Sequence, residues 1–427
     1  MDQRIFLLKG KMQHYSWGGY DFLPQLLGLE NDEQKPFAEY WLGAHPNHLT
    51  TIENDGQQIS LHDFISQNKT YILGETVAKQ FGALPYLFKV LDVRQMLSIQ
   101  VHPNKKSAEA GFEKENAAGI PVNVPHRNYK DDNHKPELMI ALNDFWLLHG
   151  FKPEEELKKI LSSNPEFNFL LNIFGDGDYK SLYEKVMLME QQQVNNILQP
   201  LVSRILPLYK NGSLKKDQED FWAARAAETF RKNNNYDRGI FSIYFFNLVQ
   251  LQKGEGIYQR ARLPHAYLEG QNVEAMANSD NVLRAGLTDK HIDVKELIKN
   301  VKFDATQPKV IGSSSVQDEV TYSSSAEEFE VDYYNISTGE TAEYSQSFGD
   351  IVTKRVTLST EVREFETSSA EIILVLNGQA KLSSEFHELT LHKGNAALII
   401  ADTYYTLWVS SHLELFRVSV PAKGIYS

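Results

Sequence analysis

The chain has 427 residues, of which 42% are hydrophobic and 23% are charged, a balance typical of globular proteins rather than of disordered or fibrous ones. Its 56 acidic and 43 basic side chains give a net charge of −13, which argues against a general nucleic-acid binder, because phosphate backbones need a basic surface. With no cysteine, the chain can form neither a disulfide framework nor a thiolate zinc site or nucleophile.

No apolar stretch reaches the length of about 18 residues that a membrane helix needs. The apolar run at residues 5–8 is also too short for the core of a signal peptide. We therefore expect a cytoplasmic protein that binds neither nucleic acid nor membrane.

Short apolar runs separated by turn signals predict strands in the first part of the chain, for example at residues 83–91 and 97–101. The polar stretch 116–134 has no periodicity and predicts a long loop, a feature that is often functional or mobile. From residue 152 to about residue 235, apolar side chains recur at helical spacing. This pattern predicts a helical insertion between β-rich segments.

Strand patterns resume near residue 240, and the Ser-rich stretch 313–325 indicates a boundary or linker. The short strands beyond it, at a spacing of roughly 8–12 residues, favour a sandwich or barrel. The sequence thus predicts a mainly β protein with four segments: residues 1–151 and 236–305 as two parts of one β domain, residues 152–235 as a helical insertion, and residues 306–427 as a C-terminal β domain.

Gln100 and His102 lie two residues apart on a predicted strand, which places both side chains on one face, together with Ser98. Two donors at this spacing can hold one metal ion from a rigid sheet. The alternative is a half-buried edge strand with a hydrogen-bonded histidine.

Two later segments supply further ligand types. Glu137 follows Pro136 and opens an apolar strand, where a carboxylate is costly unless a metal or a lysine accompanies it. His265 lies between a proline and an apolar pair, where a satisfied core histidine is the alternative. Taken with Gln100 and His102, these residues form a set of two imidazoles, one carboxylate and one amide that suits zinc, although other divalent ions are possible.

The segment 272–290 adds charged residues: Glu274 as a possible base, with Arg284 and Lys290 as possible cations. The alternative for this group is ordinary surface charge, and it is strongest for Lys290.

Six motifs together resemble the type I mannose-6-phosphate isomerase family. They are YSWG (15–18), AEYWLG (38–43), SIQVHP (98–103), HKPE (134–137), PHAYLEG (264–270) and SDNVLRAGLT (279–288). The resemblance implies a cupin-type jelly-roll catalytic domain with a helical insertion and a second, jelly-roll-like C-terminal domain.

The same resemblance implies one zinc ion per chain and the reversible interconversion of mannose 6-phosphate and fructose 6-phosphate by proton transfer through a cis-enediol. It implies these metal ligands: Gln100, His102, Glu137 and His265. It also implies catalytic roles for Arg284, Glu274 and Lys135, and contacts to the sugar phosphate from Lys89, Ser98 and Lys290.

Two other functions stay open at this point: a non-catalytic sugar-phosphate-binding protein on the same scaffold, and an iron-dependent cupin oxygenase, whose metal ligands do not require the lysine–arginine set. The identity of the base is also open, with Glu274 as the first choice. Arg260 and Arg262 depart from the more apolar pattern of the family, and we expect them to face solvent or to contact phosphate.

Overall fold

The computed structural model describes residues 3–45, 50–54, 56–312, 319–337, 340–344, 354–358 and 361–422. Within the Ser-rich stretch predicted as a boundary, residues 313–318 lie outside the described residues. Among the helices of the described ranges, none has the length and apolar character needed to cross a membrane.

Strands account for 34% of the structure and helices for 29%, which confirms a mainly β protein. The structure contains these strands, in chain order: β1 (Ile5–Lys9), β2 (Lys11–Gln13), β3 (Glu39–Gly43), β4 (Thr51–Asn54), β5 (Gln57–Ser60), β6 (Tyr86–Val93), β7 (Gln100–Val101), β8 (Glu137–Ala141), β9 (Phe145–Phe151), β10 (Phe246–Leu251), β11 (Gly256–Gln259), β12 (His265–Ala277), β13 (Leu283–Arg284), β14 (Val310–Ile311), β15 (Glu319–Tyr322), β16 (Glu330–Ile336), β17 (Glu340–Tyr344), β18 (Lys354–Leu358), β19 (Glu361–Glu366), β20 (Glu371–Ser383), β21 (Glu388–His392), β22 (Ala396–Ile399) and β23 (Tyr404–Ser419).

The α-helices, again in chain order, are α1 (Phe22–Leu27), α2 (Leu61–Gln67), α3 (Lys69–Leu73), α4 (Glu75–Gln80), α5 (Lys105–Ala117), α6 (Glu154–Ser163), α7 (Asn168–Phe174), α8 (Tyr179–Met187), α9 (Gln191–Lys210), α10 (Glu219–Thr229), α11 (Gly239–Phe245) and α12 (Val294–Asn300). Residues 118–136, between α5 and β8, contain no helix or strand, which confirms the long loop predicted there.

The chain divides into two compact units, and each is built from more than one stretch of sequence. Unit 1 comprises Met1–Asp92, Val273–Ala277 and Gly312–Ser427, and unit 2 comprises Val93–Asn272 and Asn278–Ile311. The four domain segments proposed from the sequence stay a prediction.

The larger sheet of unit 1 is antiparallel, with the strand order β15-β16-β23-β20-β22-β1-β4-β5, and with β19 on β23 and β21 on β20. The N-terminal strand β1 pairs with β22, so that Ile5 lies opposite Ile399. Both side chains are fully buried in one apolar cluster with residues of β20 and β23. Burial of apolar surface from both ends of the chain therefore stabilises this sheet.

A second group of strands, β2-β3-β6, places Trp41 directly opposite Lys89.

The strands of unit 2 form antiparallel pairs that bring together segments distant in sequence. β11 pairs with β8 and β14, β9 pairs with β10 and β12, and β7 lies between β12 and β13. These pairings matter for the site, because residues directly opposite one another on antiparallel strands have neighbouring side chains on one face.

Helices α6 to α10 lie within the segment predicted to be helical. α6 follows Pro153 and begins with three glutamates, which interact favourably with the positive end of the helix dipole. It buries Leu157 and Leu161, which are four residues apart and so share one face. These side chains join an apolar core with Trp146 of β9 and Trp222 of α10, so the helices cover apolar strand residues of unit 2.

Candidate metal centre and active site

The two short strands β7 and β13 and the start of β12 align three of the predicted site residues in one row. Gln100, the first residue of β7, lies directly opposite His265 at the start of β12. On its other side, Gln100 lies opposite Arg284 of β13. Cross-strand neighbours share a face, so the amide, the imidazole and the guanidinium lie side by side.

His102, Glu137 and His265 form a buried cluster in which potential ligand atoms from all three lie within 4.8 Å of one another. His102 Nε2 is 3.4 Å from Glu137 Oε1, and His265 Nε2 is 3.2 Å from Glu137 Oε2. The carboxylate thus lies between two imidazole nitrogens. Two histidines and a carboxylate are the protein ligands of one common type of catalytic zinc site.

The other ring nitrogen of each histidine is held by a backbone carbonyl. His102 Nδ1 is 2.7 Å from the Asn281 oxygen, and His265 Nδ1 is 3.0 Å from the Leu263 oxygen. A carbonyl only accepts, so both Nδ1 atoms donate, and a neutral ring then carries its lone pair on Nε2. This second contact fixes the tautomer that binds a metal.

A buried atom without a hydrogen-bond partner supports the fit to a metal. His102 Nε2 is shielded from solvent and has no hydrogen-bond partner among the described residues. Burial lowers the pKa of His102, and the neighbouring Glu137 only partly offsets this, so the ring is neutral near pH 7. A neutral imidazole with an unused lone pair is the form that coordinates a cation.

Lys135 lies next to the carboxylate of this cluster, with its Nζ 2.9 Å from Glu137 Oε1. Burial alone would raise the pKa of Glu137, but the Lys135 ammonium holds it well below its ordinary value. The carboxylate is therefore ionised and ready to bind a cation. The lysine partner that the sequence suggested for Glu137 is present.

Sequence reasoning assigned no role to Asn281, which connects the long loop to the metal cluster. Its buried side chain accepts from the Lys130 N–H at 2.6 Å and donates to the carbonyls of Asp131 and Asn133, each at 2.8 Å. Its own carbonyl holds His102. The only sequence signal is its place in the SDN motif, because its partners are about 150 residues away.

Lys89 and Glu274 form a buried ion pair in unit 1, with Lys89 Nζ 3.0 Å from Glu274 Oε1. The ammonium also lies over the Trp41 ring, 4.9 Å from the ring centre. The Trp41 indole N–H donates to the Glu39 carboxylate. Two of the predicted site residues are thus brought together, and the AEYWLG motif supplies their surroundings.

The remaining predicted residues lie in less buried places. Arg284 is half-buried, and burial lowers its pKa, although a guanidinium remains charged near neutral pH. Ser98 is half-buried two residues before β7, and Lys290 is exposed in the segment after β13. Lys290 is thus a surface residue, as expected from the alternative of ordinary surface charge.

Arg262 has a role that the sequence did not suggest. Its guanidinium donates to the carbonyls of Lys299, Asn300 and Val301, at 3.5, 3.3 and 3.4 Å, at the end of α12. Basic side chains commonly satisfy the last carbonyls of a helix in this way. Arg260 is exposed, which agrees with the expectation that it faces solvent.

A buried set of two histidines and one carboxylate, at or next to the ends of antiparallel strands, could hold one metal ion in a protein of mainly β fold. A family model described as "Phosphomannose isomerase type I, catalytic domain" matches residues 5–154. Mannose-6-phosphate isomerase of Escherichia coli (strain K12) is 37% identical over 416 residues, 96% of this chain and 98% of that protein. The Mus musculus protein of the same name is 32% identical over 97% of this chain and 98% of its own length.

Solved structures agree with these matches. A crystal structure of mannose 6-phosphate isomerase from Salmonella typhimurium, bound to fructose 6-phosphate and zinc, matches with a TM-score of 0.83 and 34% identity, covering 98% of this chain and all of that one. The chain belongs to the type I mannose-6-phosphate isomerase family, and its fold is the cupin fold of that family. The resemblance read from the six motifs is confirmed.

Proposed function

We propose that this protein is a zinc-dependent aldose–ketose isomerase that interconverts mannose 6-phosphate and fructose 6-phosphate. The observation that carries the proposal is the buried cluster of His102, Glu137 and His265, in a chain that matches named isomerases over nearly its whole length. A related structure with zinc and fructose 6-phosphate supports the same cofactor and substrate class here.

The zinc ion would be held by His102, Glu137 and His265, and we propose Gln100 as the fourth ligand. The position of Gln100 directly opposite His265 supports this assignment, because the two side chains share a face. Bound zinc supplies positive charge that stabilises negative charge on a substrate oxygen.

The reaction moves one proton between two carbon atoms of the open-chain sugar. A base removes the proton from C2 of the aldose, and O1 gains a proton, which gives the cis-enediol. The same group then returns a proton to C1 while O2 loses its own proton, which gives the ketose. The protein must therefore supply a base and positive charge for the developing oxyanion.

We propose Glu274 as the base and Arg284 and Lys135 as the charges that stabilise the enediolate. The contact of Glu274 with Lys89 supports the first role, because the ammonium holds the carboxylate in one orientation. Arg284 lies beside Gln100, and Lys135 lies beside Glu137, so both cations are next to proposed metal ligands.

The phosphate end of the substrate needs hydrogen-bond donors and cations of its own. We propose that Ser98, Lys290 and Lys89 supply them. Ser98 is a half-buried hydroxyl two residues before Gln100, and Lys290 is an exposed ammonium that incoming phosphate can reach. Binding energy from the phosphate can then be used at the reacting carbons.

A charged sugar phosphate does not cross membranes freely, so enzyme and substrate share a compartment, which we propose is the cytoplasm.

A coupled assay for fructose 6-phosphate formed from mannose 6-phosphate tests the function. We expect activity in the zinc-loaded protein, its loss on chelation and its return with zinc. Folded, zinc-loaded protein that binds the sugar phosphate without converting it would refute the isomerase and favour the non-catalytic alternative. Restoration by iron(II) but not by zinc would refute the zinc assignment.

A further inference from the structure

A second pair of buried polar residues lies beside the metal cluster of unit 2. His149 of β9 is directly opposite His265, and Gln259 of β11 is directly opposite Glu137. Opposed residues of antiparallel strands present their side chains on one face. Each member of the pair is therefore the cross-strand neighbour of one of the proposed metal ligands.

The two residues are joined by a hydrogen bond of 2.9 Å between His149 Nδ1 and Gln259 Oε1. The amide oxygen accepts, so His149 donates its Nδ1 proton. This bond fixes which way the amide of Gln259 points.

The nitrogen of the Gln259 amide is unpaired among the described residues. Gln259 is 0% exposed, and its Nε2 has no hydrogen-bond partner there. Leaving such a buried donor unpaired is costly, and the great majority of buried polar groups are paired. The residue directly opposite is Glu137, whose carboxylate offers about four lone-pair sites, more than its present contacts fill.

We propose that Gln259, with its amide held by His149, is a positioning residue of the metal centre that supports the Glu137 carboxylate when a cation is bound. The inference rests on the proposed function only in taking this cluster as the zinc site. Neither member of the pair is itself a metal ligand. Partners of this kind orient the ligands, and their loss commonly weakens metal binding about 10- to 100-fold.

Three variants test the pair: Gln259→Leu, His149→Phe and the double variant. Each is made metal-free, and its zinc Kd is measured by competition with a chromophoric chelator. We expect a Kd increase of about 10-fold or more in each. The two residues act as one unit, so the double variant should bind no more weakly than Gln259→Leu. Gln250→Leu, the same change at an exposed residue of β10, is the matched control and should keep the wild-type Kd.

Stability of the metal-free protein separates positioning from a merely structural role. The double variant removes both partners of the hydrogen bond and replaces them with apolar groups, a change that is often neutral or stabilising. We therefore expect urea unfolding of the metal-free double variant at or above the wild-type midpoint, together with weaker zinc binding. A double variant with the wild-type zinc Kd would overturn the proposal, whatever its stability.

The measurement also distinguishes this proposal from the proposed function. Wild-type protein that binds zinc but does not interconvert the sugar phosphates would refute the isomerase and leave the role of Gln259 and His149 standing. An active enzyme whose double variant keeps full zinc affinity would refute the positioning role alone.

Discussion

Replacing Asn281 with alanine tests whether the loop before β8 is held in place by this one side chain. The side chain makes four hydrogen bonds of 3.0 Å or less, one from the Lys130 N–H and three to Asp131 and Asn133. Each such bond contributes about 1 kcal/mol, and water that enters the space offsets part of the loss. We therefore expect Asn281→Ala to lower the free energy of unfolding by about 3 kcal/mol.

The same change should also weaken metal binding. The Asn281 carbonyl accepts from His102 Nδ1, and the loop leads directly to Lys135 and Glu137. Once these hydrogen bonds are lost, the loop can shift, which disturbs the orientation of His102 and Glu137. We expect the zinc Kd to rise by about 10-fold or more.

Urea unfolding of the metal-free protein and chelator competition measure the two effects. The control is Asn196→Ala, at an exposed position of α9, where we expect a change within about 0.5 kcal/mol and an unchanged zinc Kd. Wild-type stability in Asn281→Ala would show that the four hydrogen bonds do not hold the loop. Lost stability with an unchanged zinc Kd would show that the metal cluster forms independently of it.

Three further substitutions have distinct expected outcomes. His265→Ala removes one clustered ligand, so both zinc content and turnover should fall; unchanged zinc occupancy would contradict the ligand assignment. Arg284→Ala should keep its zinc and lose turnover by a large factor, and an unimpaired rate in the coupled assay would assign this residue to structure. Arg417→Met leaves Glu371 buried without its two 2.9 Å contacts to the guanidinium. Urea unfolding at neutral pH should therefore show a loss of about 3–5 kcal/mol in the free energy of unfolding. This loss should shrink in acid, because the carboxyl then becomes protonated. Lys381→Met, in an exposed ion pair, should cost under about 1 kcal/mol, and an equal loss in both variants would contradict the argument from burial.

The residues that we propose as metal ligands could be singled out from the sequence because each lies in a short local pattern. Gln100 and His102 are two residues apart at the start and just beyond the end of β7, and Glu137 opens β8 directly after Pro136. Such features depend on a few neighbouring residues, so one sequence is enough to find them. The helical segment was predictable for the same reason, because helical periodicity is local.

Contacts that depend on strand register could not be predicted. The ion pair of Lys89 with Glu274 joins residues 185 positions apart, and Ile5 of β1 lies opposite Ile399 of β22. A shift of one residue in strand pairing would turn every side chain of the strand to the other face, so the pairing partner decides which residues meet. The bond between His149 and Gln259 depends on register in the same way, although each residue alone reads as an ordinary member of a buried strand.

The charge balance of the metal cluster decides how chelation experiments can be interpreted. Lys135 already compensates the Glu137 carboxylate, and neutral His102 adds no charge, so Glu137 keeps a cationic partner when metal is removed. We therefore expect the fold to be stable without metal, with zinc at 100 times its Kd adding about 2.7 kcal/mol. Chelation should lower the unfolding midpoint while circular dichroism at 25 °C stays unchanged, so lost activity would report on the metal centre itself. If chelation unfolded the protein, the Lys135–Glu137 pair would not compensate the cluster, and the zinc Kd of every variant would include the free energy of folding.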